Sequence, residues 1–258
     1  MRKLLGAFTG LVLAALYAPI AVMILFSFNK SAYGVRWTGF TLDWYRKLAE
    51  NATMHRELGN TLAIAVISTI ASTVLGTMAA LAARSAFRGK TLYTTLVTLP
   101  VMVPDIVLAI AMLSLFEALS IPLSLFTAAV AHTTFNLSYV AVVVSARLQG
   151  MDRSIELAAQ DLGAPPWRAF WKVTLPAILP GVLSGAVLAF TLSFDDFVIT
   201  YFTTGPGNGT LPMRIYSMVR FAVTPEINAM STVILAASLA LIAAALKISR
   251  VPVTGGGR

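Results

Sequence analysis

Cysteine is absent from the 258 residues, and histidine occurs only twice, at His55 and His132. The first absence excludes disulfides, thiol catalysis and Cys-ligated metals; two imidazoles far apart in sequence leave metal chemistry little support. Charge is scarce as well: Asp, Glu, Lys and Arg make up 12% of the chain, against 57% hydrophobic residues and a mean hydropathy of +0.80. That balance is not that of a soluble domain around one core. It marks a polytopic membrane protein, all-α.

Apolar stretches near the length needed to cross a bilayer fall at about 4–28, 58–83, 92–117, 123–147, 177–203 and 227–248, which predicts six transmembrane helices. The first could be taken for a secretory signal, but it is longer than such an apolar region and lacks a convincing small-residue cleavage site, so a retained span is expected. The whole chain, 1–258, reads as one transmembrane domain, with core spans over about 58–248 and a polar cytoplasmic loop over 148–176. With the N-terminus inside, the cytoplasmic segments hold Arg2, Lys3, Arg84, Arg88, Lys90, Arg147, Arg153, Arg168, Lys172, Lys247, Arg250 and Arg258, 12 of the 19 basic residues. This bias favours both termini in the cytoplasm and explains the net charge of +8 without nucleic acid.

Three connections are longer than turns. About 29–57 is external and carries WTGFTLDWYRKL, whose Trp37, Phe40, Trp44 and Tyr45 suit a membrane interface. The segment GPGNGTLPMRIYSMVRFAVTPEIN, from Gly205, reads as an external Gly-rich turn followed by an interfacial helix. The third, LQGMDRSIELAAQDLGAPPWRAFWKVTLP, is the cytoplasmic loop. Ser154 can cap a short helix in which Ile155, Ala158, Ala159 and Leu162 share a face, with Gly163 as a left-handed stop. Pro165 and Pro166 force a break, and Pro166 suits the first position of a second helix running towards Pro176. From physics alone, the small apolar face serves equally to pack beneath the bundle or to dock a partner.

The pattern E-x-A-A-x-D-L-G in this loop resembles the EAA loop of ATP-binding-cassette importer permeases. The segments WTGFTLDWY, LPVMVPDIVLAI, FTLSFDDFVIT and LPMRIYSMVRFAVTPEINA are similar to the second permease subunit of spermidine/putrescine importers. The resemblance implies the type I ABC importer permease fold and a coupling helix inserting into a cytoplasmic ATPase, with Ile155, Glu156, Ala158, Ala159, Asp161, Leu162 and Gly163 as its contact set. One position departs: the family's second glutamate is Leu157 here. The implied partners are a homologous second permease subunit, an ABC ATPase dimer and a periplasmic substrate-binding protein, at the bacterial inner membrane. The implied chain is no enzyme and holds no cofactor of its own, ATP being used by the partner.

Other motifs carry less. RGKT at 88–91 mimics the end of a phosphate-binding loop, but Arg84 stands where its first glycine is needed and no buried strand precedes it. Gly181 and Gly185 form a GxxxG that permits close helix packing. His132, Asn136 and Glu117 read as hydrogen-bonding partners within or near spans. No internal repeat points to an inverted-repeat carrier.

The acids are the costly feature. Each aspartate at a span centre costs roughly 2.5–3.5 kcal/mol, and each Leu, Ile, Phe or Val returns about 0.3–0.6. The nine such residues between Ala177 and Phe194 do not offset two lipid-exposed central acids, so Asp195 and Asp196 require water, a basic partner or the interface. Adjacent helical positions point about 100° apart, so at most one of the pair aims straight down a path. Asp105, after Pro104 and about half way along the third span, has no cation in its own span. Carboxylates along a wet path attract a cation, and polyamines suit them. The resemblance implies the same residues: Asp105, Ser193, Asp195 and Asp196, with Tyr17 and Trp44 as aromatic contacts for an ammonium. The same importer class carrying an opine or an aminophosphonate, a self-sufficient cation channel or carrier, and a purely structural subunit are the rival readings.

Overall fold

The computed structural model describes residues 2–31, 36–221 and 224–248, leaving Arg250 and Arg258 of the charge argument outside the described residues; the side chains of Arg2, Lys3 and Lys247 are likewise not described. Every regular element among the described residues is helical. Among the described residues four helices are long and apolar enough to span a membrane, five if a bent pair is counted as one span. A further helix, Pro225–Ile248, occupies the position of the sixth expected span. The chain divides into two compact units, Met1–Met54 with Ile215–Arg258, and His55–Arg214.

The first unit contains α1 (Arg2–Phe26), α2 (Asp43–Glu50), most of α11 (Leu211–Phe221) and α12 (Pro225–Ile248). Here α12 packs on α1 and α2. The aromatic loop between α1 and α2 is organised around Asn29, which is fully buried. Its amide donates to the Arg36 carbonyl at 2.8 Å, its Oδ1 accepts from the Thr38 N–H at 2.9 Å, and its carbonyl accepts from the Trp44 indole at 2.8 Å. Phe28 stacks between Phe40 and Tyr45. Phe28, Phe40 and Tyr45 thus pack on one another within the loop, while Trp37 and Phe40 keep exposed faces.

The second unit is built on α6 (Leu125–Gln149), which α4 (Lys90–Met102), α5 (Asp105–Ala118), α9 (Leu175–Asp195) and α10 (Val198–Thr203) all touch. A capping box, Ser124 with Thr127, starts α6. Close approach to it depends on glycine. A Cβ at Gly76, on α3 (Ala52–Arg84), would lie 2.7 Å from Val140 Cβ and the Leu137 carbonyl, and one at Gly181 would lie 2.7 Å from Arg147 Cβ. Packing thus accounts for the GxxxG pair. The Gly-rich turn after Gly205 is pinned to the start of α3 by Asn60, which donates to the Gly209 carbonyl at 2.9 Å, and by Thr61, which accepts from the Leu211 N–H at 2.8 Å.

Two expected spans differ from their sequence reading. The third is a broken pair: α4 and α5 meet at 110°, with Val103 and Pro104 extended between them, because proline offers no N–H to continue the ladder and disfavours helix at the residue before it. The fifth begins earlier and ends sooner than 177–203. It runs from α8 (Pro166–Ala169) through a π turn (Phe170–Thr174) into α9, stops at Asp195, and resumes as the separate α10. The expected second loop helix is thus the first stretch of this long helix.

Candidate functional site

The two helix breaks carry the acids. Asp105 is the first residue of α5, where the positive end of the helix dipole favours a carboxylate. It is exposed, and no basic side chain pairs with it among the described residues. It lies within Coulomb reach of Asp196 and Tyr139. Between α5, α6 and α10 an apolar cluster of Ala109, Met112, Phe116, Phe135 and Ile199 fixes the relation of the breaks.

Asp195 and Asp196 separate sharply. Asp195 ends α9 and is exposed. Asp196 leaves the helix in an extended conformation and turns inward, its side chain only 10% exposed. Its carboxylate caps α10, accepting from the Thr200 N–H at 2.8 Å, the Thr200 hydroxyl at 2.9 Å and the Ile199 N–H at 3.3 Å. His132, 1% exposed, places Nε2 3.3 Å from Asp196 Oδ2 and 2.9 Å from the Thr200 hydroxyl, and Nδ1 2.7 Å from the Ser193 hydroxyl. Ser193 continues the chain to Ser68 at 3.0 Å. Either imidazole tautomer finds partners on both sides. Ser193 therefore points into this buried network, and Asp196 is committed to it.

His132 matches its reading as a buried hydrogen-bonding partner. Asn136 is buried without a hydrogen-bond partner for its amide among the described residues, and Glu117 is exposed at the end of α5. Ser68 and Thr200 were not singled out by sequence; the available signal was that a histidine inside an apolar helix needs hydroxyls for both ring nitrogens. Tyr17 and Trp44 belong to the first unit. Tyr17 is 63% exposed on α1. The Trp44 ring already holds an ammonium, that of Lys47, 4.4 Å from its centroid.

The polar loop over 148–176 forms α7 (Ser154–Asp161). Ser154 does not cap α7: it is the first helical residue, the N-cap position is Arg153, and the Ser154 N–H donates to the Asp152 carboxylate just outside the helix at 2.8 Å, which holds that carboxyl below its usual range. Gly163, at φ +84°, ends the helix as expected, with the Ala164 N–H donating to the Ala159 carbonyl at 3.0 Å. Glu156 ties α7 to the bundle: one oxygen pairs with Arg84 at 2.7 Å, and the other accepts from the Thr174 hydroxyl in the π turn. Ile155, Leu157 and Leu162 are left exposed, Leu162 at 89%, while Ala159 is half-buried. Leu157, at the departing position, extends this free apolar surface.

A bundle of helices long and apolar enough to cross a membrane, with a short helix between two of them that leaves Ile155, Leu157 and Leu162 exposed, is the architecture of an integral membrane protein with a free docking surface. The family described as "Binding-protein-dependent transport system inner membrane component" matches residues 72–250, and the chain belongs to it. It is 41% identical to the spermidine/putrescine transport system permease protein PotC of Shigella flexneri, over 99% of this chain and 97% of that one. It is 44% identical to the putrescine transport system permease protein PotI of Escherichia coli (strain K12), over 86% and 82%. Among solved structures, a bacterial alginate ABC transporter bound to its periplasmic protein superposes with a TM-score of 0.73 at 17% identity, covering 99% of this chain and 96% of that one. The fold is that of the ABC importer permeases.

Proposed function

We propose that this chain is one transmembrane subunit of an ATP-driven importer of spermidine, putrescine or closely related cationic amines. The observation that carries the proposal is the pair of carboxylates, Asp105 and Asp195, left exposed and without a cation partner among the described residues at two helix breaks, in a chain 41% identical to a polyamine permease. Asp105 and Asp195 attract the ammonium groups; Asp196 and Ser193 hold the second break in shape behind them. Tyr17 and Trp44 are proposed aromatic contacts on the strength of the resemblance. The chain pairs with a homologous permease, receives substrate from a periplasmic binding protein and rests through α7 on an ATPase dimer that binds the ATP. Both termini lie in the cytoplasm, and the chain itself needs no cofactor.

In this reading Ile155, Ala158, Ala159 and Leu162 contact the ATPase, Asp161 and Gly163 shape the end of the helix, and Glu156 passes its motion to α3 and α9. The test is amine uptake by proteoliposomes containing the assembled complex. Uptake should require ATP and the binding protein, and Ala159→Asp should leave assembly intact while separating ATP hydrolysis from uptake. Transport by the purified chain alone, or uptake unaltered by Asp105→Asn with Asp195→Asn, would overturn the proposal.

A further inference from the structure

At the end of the second unit that carries α7, the last turn of α3, the start of α4 and the last turns of α6 surround a cavity of about 670 Å³. That is a ligand-sized space. Its wall has two characters. Val97, Ala141 and Val142 form an apolar side, while Arg84, Lys90 and Arg153 supply three cations. Arg84 divides its guanidinium: Nη1 meets Glu156, and Nη2 is buried without a hydrogen-bond partner, an unfavourable state for a charged donor. Arg153 donates to the Arg84 carbonyl at 3.2 Å, and neither it nor Lys90 is paired with an acid among the described residues.

Three cations against one neighbouring carboxylate repel an amine and attract an anion. The apolar side excludes a freely hydrated ion as the best match, because it leaves most of the wall without a partner. An amphiphile with an anionic head and a hydrocarbon tail satisfies both sides, and basic pockets between spans on the cytoplasmic side are where anionic headgroups bind. We propose that this cavity is a site for an anionic phospholipid, its phosphodiester on Arg84, Lys90 and Arg153 and its acyl chain along Val97, Ala141 and Val142. The site goes beyond amine transport and touches it at one atom group: Arg84 is shared between the lipid phosphate and the tether of the coupling helix.

The experiment is lipid analysis of the assembled complex purified from membranes, wild type beside Lys90→Gln and the Lys90→Gln/Arg153→Gln pair. Wild type should retain phosphatidylglycerol or cardiolipin, and retention should fall roughly fivefold for each cation removed, with zwitterionic lipid unchanged. Equal retention in all three proteins overturns the site. Delipidated complex should gain thermal stability from phosphatidylglycerol vesicles and not from phosphatidylcholine vesicles; the same gain from inorganic phosphate alone would assign the cavity to a free anion and overturn the lipid. A Val97→Cys variant cross-linking efficiently to the partner permease would also overturn it, because a protein helix would then fill the groove. These readouts do not depend on which solute is transported, so their failure is separate from failure of the amine reading.

Discussion

The two helix breaks of the second unit use the same residue type for opposite ends. At the first, between α4 and α5, Asp105 begins a helix and keeps its charge unpaired. At the second, between α9 and α10, Asp196 follows a helix, caps the next and is held by His132 and Thr200. The difference lies in what surrounds each carboxylate. Pro104 makes the first break by removing a donor, so no acid is needed to hold it open. The second break has no proline, and the amides of α10 and the imidazole of His132 need an acceptor, which Asp196 supplies. A carboxylate engaged in holding structure is poorly free to release a passing cation; one held only by its backbone position is.

Substitutions can break this contrast. The largest effect is expected for Asp196→Ala, which strips His132 and α10 of their shared acceptor and should cost about 3–5 kcal/mol, seen as a lowered Tm and poor recovery of folded complex. Thr200→Val removes hydroxyl bonds to both Asp196 and His132 and should cost about 1.5–3 kcal/mol in the same melt. Asp105→Asn should behave differently, with the Tm held and amine uptake lowered about tenfold, equivalent to about 1.4 kcal/mol. If Asp105→Asn unfolds the complex and Asp196→Ala only slows uptake, the assignments are reversed. Pro104→Ala should do least: α5 packing on α10 keeps the angle, and a loss of about 0.4–1 kcal/mol arises through the unfolded chain. Uptake measured beside the melt checks that the break survives.

Hydropathy made the spans legible because each must be apolar over the thickness of a bilayer, and α7 was legible because its periodicity and its glycine stop are local. The breaks were only half legible. Pro104 marked where the third span would deform, yet the 110° angle depends on α10 and α6, which arrive later in the chain. Likewise the helical wheel showed that Asp195 and Asp196 diverge, but the choice between them belongs to His132, brought from α6 by packing. The N-cap of α7 was misplaced by one residue for a simpler reason: Ser154 has a capping side chain and Arg153 does not, and only the backbone decides which stands outside the helix.

The network around His132 also sets a schedule for the ribosome. His132 precedes Ser193 by 61 residues. At translation rates of about 5–20 residues per second, the imidazole is made roughly 3–12 s before its first partner on α9 exists. Over that interval neither of the hydroxyls that the imidazole meets in the finished protein, Ser193 and Thr200, has been made. The second break therefore closes only after the chain has been extended past Thr200.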